Sequence, residues 1–125
     1  MYQRINMSGI GQLPPQVQER LQRLQNLQNT LQQLMVQKQR IEMEQAESDK
    51  ALETLKITAE GNKVYKSVGA VLVERSKEDV VKELEERKEF LEMRLKVIVK
   101  QEEKTREKMT GIQETLQKEL GLPSQ

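Results

Sequence analysis

Residues that carry out nucleophilic, acid–base or metal chemistry are scarce in this sequence. Its 125 residues include no Cys and no His, which excludes thiolate nucleophiles, disulfides, zinc sites of the Cys/His type and imidazole catalysis. The carboxylate pairs Glu85–Glu86 and Glu102–Glu103 make poor acid–base dyads, because adjacent residues on a helix point in different directions. No GxxxxGKS/T or GxGxxG phosphate loop occurs. We therefore expect no enzyme, no cofactor and no metal.

The composition indicates long helices rather than a wide globular core. Lys+Arg number 21 and Asp+Glu 20, hydrophobic residues make up 35% and aromatic residues 2%. So few aromatic side chains cannot fill a broad interior, whereas abundant Glu, Lys, Leu, Arg and Gln are typical of coiled coils. An RNA-binding arm would need a basic stripe, but residues 1–60 carry seven charges of each sign. Nucleic acid is therefore not an expected partner.

Hydropathy also excludes a membrane partner. The longest unbroken apolar run is Ala70 to Val73, far shorter than a membrane span. The N-terminus lacks a basic segment followed by an apolar stretch, which is the pattern of a secretory signal. We expect a cytoplasmic protein.

Two stretches follow a heptad repeat and predict helices over residues 14–57 and 77–120. In each stretch eight of the twelve a and d positions are apolar, a narrow seam that favours a coiled coil. Ser76 with Asp79 fits an N-cap for the second helix, and Gly121 fits its stop. Polar residues interrupt the seam and either set its register or loosen it locally; they are Lys38, Gln45, Ser48, Lys88, Glu102 and Thr105. Equal helices joined by a short connector suggest an antiparallel pair.

The connector, residues 63–75, predicts a β-hairpin. It is dense in β-forming residues, and Gly69-Ala70 suits a two-residue type II′ turn. That register places Val68 opposite Val71, and both faces of the hairpin carry apolar groups. Because open edges pair with other strands and an isolated hairpin is marginal in water, we expect assembly with other subunits. The residues expected to mediate it are Val64, Tyr65, Val68, Gly69, Val71, Leu72 and Val73.

The connector also carries a family resemblance. The run from Val64 to Gly69, followed by a second strand and a helix, resembles the β-type subunit of prefoldin. The resemblance extends from Pro14 to about Leu120. The α-type of this family has a longer insert with more strands, which this sequence lacks. The resemblance implies a single prefoldin-like domain over 14–122, with tails at 1–13 and 123–125.

The resemblance implies a mainly α fold: a long antiparallel two-helix coiled coil joined by a β-hairpin that assembles into an oligomeric β-barrel platform. It further implies a hexamer of two α-type and four β-type subunits. Such a hexamer is an ATP-independent holdase that captures unfolded polypeptides at the coiled-coil tips and delivers them to a group II chaperonin. A structural or tethering coiled coil without chaperone activity is the alternative.

The helix ends supply the expected client-binding residues. In an antiparallel pair the start of the first helix meets the end of the second. The apolar residues brought together there are Leu13, Val17, Leu21, Leu24, Ile112, Leu116, Leu120 and Leu122. They serve either as a patch for non-native chains or as the cap of the coiled coil, and the sequence leaves both roles open.

Overall fold

Two long helices and the hairpin between them make up the structure, a computed structural model that describes residues 12–121. Helix α1 spans Pro15–Ile57, strand β1 Val64–Val68, strand β2 Val71–Arg75 and helix α2 Lys77–Glu119. This confirms the predicted mainly α fold with a β-hairpin between two helices. Apart from Gln12 and Leu13, the predicted tails lie outside the described residues, as does Leu122.

The helix ends are satisfied by local hydrogen bonds. At the start of α1 the carbonyl of Pro14 accepts the N–H of Val17 at 3.0 Å. At the start of α2 the hydroxyl of Ser76 accepts the N–H of Asp79 at 3.2 Å, as expected of an N-cap. After α2, Gly121 adopts a φ of 65°, the left-handed conformation that commonly ends a helix.

The seam between the helices follows the heptad pattern closely. Every buried side chain among residues 12–121 lies at a predicted a or d position. Leu91, at a d position of α2, has no exposed surface. The seam also keeps polar residues inside, since Ser48, Glu102 and Thr105 are buried. The Thr105 hydroxyl donates to the Gln101 carbonyl one turn earlier, at 2.7 Å.

The chain divides into two compact units. Among the described residues, the first combines 12–35 with 100–121, and the second contains residues 36–99. In the first unit Arg20 of α1 pairs with Glu119 of α2, so the start of α1 lies beside the end of α2. In the second unit Glu44 accepts from Arg87 at 2.7 Å, and a second cross-helix ion pair, Asp49–Lys88, measures 2.9 Å.

The structure describes residues 12–121. Within that range neither helix has a stretch long and apolar enough to cross a membrane.

Truncating Leu91 to alanine should lower the free energy of unfolding by about 2–5 kcal/mol, because it leaves a void in a seam that has no second layer to collapse into it. Val97→Ala is the matched control, since Val97 lies on the same helix and is 55% exposed. Urea denaturation at one fixed protein concentration measures both variants. Equal losses of unfolding free energy in the two variants would contradict the conclusion that burial in the seam stabilises the chain.

Candidate functional site

The hairpin has the register expected from its turn. Val64 pairs with Arg75, Lys66 with Val73 and Val68 with Val71. Gly69 has a φ of 57°, and no residue other than glycine has a positive φ among the described residues. Positive φ at the first turn position alone is the pattern of a type II′ turn. The turn therefore fixes which side chains share a face.

Both faces of the hairpin carry exposed apolar side chains. Val68 and Val71 are 55% and 62% exposed on one face, and Tyr65 and Leu72 are 52% and 68% exposed on the other. Val73 is also exposed, Val64 is half-buried, and Gly69 is exposed in the turn. Within the described chain, the helices therefore leave most of the hairpin's apolar surface to solvent.

Glu83 ties the hairpin to α2. Its carboxylate accepts from Lys66 of β1 at 3.1 Å and from Arg75 of β2. Lys66 and Arg75 lie on one face of the hairpin, because Lys66 is two residues from Val64 on β1 and Val64 pairs with Arg75. One carboxylate thus holds both strands. At the base of the hairpin, Lys77 Nζ donates to the Thr58 carbonyl at 2.9 Å and links the ends of the two helices.

These charges perturb each other's titration. The hydrogen bond from Arg75, followed by that from Lys66, holds the pKa of Glu83 below its usual value of 4.5. The same contact with Glu83 raises the pKa of Arg75. A carboxyl group with a lowered pKa stabilises its contacts fully above pH 4.5 and loses that contribution as the pH falls through the lowered value.

A groove of about 960 Å³ runs beside β1 within the second unit. Apolar and aromatic residues form much of its wall; they include Ala51, Leu55, Val64, Tyr65, Leu84 and Phe90. The guanidinium groups of Arg87 and Arg94 lie 5.2 and 5.9 Å from the centre of the Phe90 ring. Such a cation–π contact at an exposed site contributes about 0.5–1 kcal/mol.

A terminal apolar cluster lies in the first unit. Its buried core is Val17, Leu24, Met109, Ile112 and Leu116, and the half-buried Leu13, Leu21, Leu27, Leu31 and Leu120 pack against it. The structure thus brings together every expected client-binding residue that it describes. None of them is among the exposed large apolar residues. Leu122 lies outside the described residues.

The Arg20–Glu119 ion pair lies at the first d position of α1 and the last d position of α2. Both side chains keep about 30% of their surface exposed, at 31% and 28%. A pair of this exposure contributes about 0.2–1 kcal/mol. The ion pair therefore stabilises the contact between the helix ends less than a buried apolar pair at the same two positions would.

Three features of the surface were not predicted. The Glu83 contacts, the groove and the exposed apolar residues Phe90, Met93 and Val97 all depend on how elements distant in sequence face each other. The i, i+3, i+7 spacing of Phe90, Met93 and Val97 was a signal that could have identified one outer helix face. Residues 12–121 contain no group of three or more side chains placed to hold a metal ion.

Comparisons with known proteins agree on one family. A family model described as "Prefoldin subunit" matches residues 18–122. Prefoldin subunit beta of Archaeoglobus fulgidus is 44% identical over 108 residues, which cover 86% of this chain and 93% of that protein. Prefoldin subunit beta of Methanosarcina acetivorans is 40% identical over 115 residues, covering 92% and 98%.

A solved structure supports the same assignment. The crystal structure of the prefoldin beta subunit from Thermococcus strain KS-1 is similar with a TM-score of 0.78 and 37% sequence identity, and the match covers 90% of this chain and 96% of that one. The two chains thus share their fold over most of their length. The chain belongs to the prefoldin subunit family.

Proposed function

We propose that this chain is one subunit of a hetero-oligomeric chaperone that holds non-native polypeptides without ATP. The observation that carries the proposal is the hairpin, whose two faces expose Tyr65, Val68, Val71 and Leu72 to solvent. A two-stranded hairpin is marginal in water unless other strands or layers cover it. Membership in a family of subunits supports an assembly that provides this cover.

The finer architecture follows the family resemblance. The proposal is a hexamer of two α-type and four β-type subunits whose hairpins form a β-barrel platform in the cytoplasm. Clients bind at the coiled-coil tips and pass to a group II chaperonin. The terminal cluster supplies apolar side chains for this binding, and Leu13, Leu21 and Leu120 are among its partly exposed members.

Client binding at the terminal cluster competes with the packing of the chain's own helices. The inner residues of the cluster are buried against each other, so an incoming apolar segment reaches them only when the last turns of the helices separate. Helix ends are the easiest part of a helix to open. The weak Arg20–Glu119 pair keeps the free-energy cost of that opening low.

Replacing Leu72 with aspartate should prevent assembly with an α-type prefoldin subunit, because the substitution places a charge in the proposed barrel interface. Sedimentation velocity of the mixture measures the assembly. Met43→Asp is the control, since Met43 is 63% exposed on α1, away from the hairpin. Undiminished assembly of the Leu72 variant would contradict hairpin-mediated association.

Assembly should weaken as the pH falls through the lowered pKa of Glu83. Above pH 4.5 the carboxylate is ionised and holds both strands; below its lowered pKa it is protonated and releases Lys66 and Arg75. Glu83→Gln should therefore weaken assembly at neutral pH and flatten its acid dependence. Glu89→Gln, an exposed carboxylate on the same helix, serves as the control. Sedimentation across an acid series gives the pH midpoint of assembly for the unsubstituted chain and for each variant. If Glu83→Gln has the same midpoint as the unsubstituted chain, Glu83 does not anchor the hairpin.

The assembled complex should suppress aggregation of a chemically denatured protein in the absence of ATP, as followed by light scattering. Leu21→Gln with Leu120→Gln should raise several-fold the amount of complex required, because both residues pack at the partly exposed edge of the terminal cluster. Met43→Gln with Met93→Gln removes two exposed apolar side chains elsewhere and should have little effect.

Unchanged scattering with a verified parent assembly would overturn the holdase proposal and favour a tethering coiled coil. Equal loss of activity in both double variants would instead move client binding away from the terminal cluster. Circular dichroism confirms that each variant retains its helices.

A further inference from the structure

The groove beside β1 has the composition of a protein docking site. Aromatic residues make up 2% of the sequence, yet its one Phe and one of its two Tyr residues both line this groove. Phe90 is 48% and Tyr65 52% exposed, so each presents a large apolar area. Aromatic side chains are enriched among the residues that contribute most to binding between proteins.

The accessible surface of the groove favours an apolar occupant, because most of the area that lines it is apolar. Charged side chains also line the groove. Glu83 accepts from Lys66 and Arg75, Arg87 donates to Glu44, and Glu47, Lys50 and Glu86 complete the charged part of the wall. An apolar occupant removes the aromatic surface of the groove from water.

The hairpin turn of this protein has those properties. No charged residue occurs from Ser67 to Val73. Val68, Val71 and Leu72 are each more than half exposed around the turn, and form what we term the hairpin knob. Knob and groove therefore match in polarity, and both belong to every copy of the chain.

A hairpin knob cannot enter the groove of its own copy. Residues 64–67 of β1 form part of the groove wall, and Val68 follows them in the same extended strand, so the knob continues this wall rather than facing it. The tight two-residue turn gives the strand no slack to fold back. The occupant must come from another molecule.

We propose that the hairpin knob of one copy docks into the groove of a second copy of this chain. Because knob and groove are separate patches, the contact is either reciprocal between two copies or repeated from one copy to the next. The inference rests on the proposed function, since it needs more than one copy in the assembly. It adds to strand pairing a contact between the hairpin and the helices.

Site-directed crosslinking tests this contact, because the sequence contains no Cys. One tagged copy carries Ala70→Cys in the turn, and an untagged copy carries Ala51→Cys in the groove. Both are assembled with an α-type subunit and treated with a short bismaleimide. The control replaces Ala51→Cys with Ala46→Cys, which lies on the same helix, is more exposed and does not line the groove.

Groove docking predicts a crosslinked pair with Ala51→Cys in clear excess over Ala46→Cys. Random collision predicts the reverse, because Ala46 is the more accessible position. Equal or reversed yields in an intact assembly would overturn the docking and leave the proposed function standing. Failure of the unsubstituted chain to assemble at all would overturn both, so its sedimentation is measured first.

A second variant tests the groove without any crosslinker. Ala51→Trp fills the groove and should weaken association roughly tenfold, equivalent to about 1.4 kcal/mol. Ala46→Trp adds the same side chain outside the groove and should leave association unchanged. Equal association of the two variants would overturn the proposal independently of the crosslinking result.

Discussion

The narrowness of a two-helix seam determines which apolar residues this chain can bury. Every buried side chain among the described residues lies at an a or d position, because each helix segment has one helical neighbour within its unit. Apolar residues elsewhere have no second layer to cover them. The exposed hairpin, with Leu72 at 68% and Val71 at 62%, follows directly from this constraint. A subunit of an assembly tolerates such exposure, whereas a lone protein would be prone to aggregate.

The local charges make this exposed hairpin suitable for association. Glu83 holds one residue of each strand, and Lys77 joins the base of α2 to the end of α1. A hairpin held in one orientation loses less conformational entropy on binding than a mobile one. These contacts are individually weak because they are exposed. Their contribution lies in preorganising the hairpin rather than in stabilising the helices.

Much of the fold could be predicted because its determinants are local. The period of the apolar residues specifies the seam, Gly69 specifies the turn and hence the pairing of Val68 with Val71, and Ser76 specifies the start of α2. The groove and the Glu83 contacts could not be predicted, because they depend on how the hairpin is tilted against α2. A heptad assigns a residue to the inside or outside of a seam but does not set that tilt.

The terminal cluster illustrates the same limit in functional terms. The sequence places Val17, Leu24, Ile112 and Leu116 on the seam, and leaves open whether they cap the coiled coil or form a patch for non-native chains. The structure shows burial, so the proposed client binding requires the cluster to open. A cluster closed by an exposed ion pair opens at low free-energy cost, and one closed by leucine alone would open less readily. Relative to an apolar pair, Arg20 and Glu119 at seam positions therefore make the helix ends easier to open, which is what the proposed client binding requires.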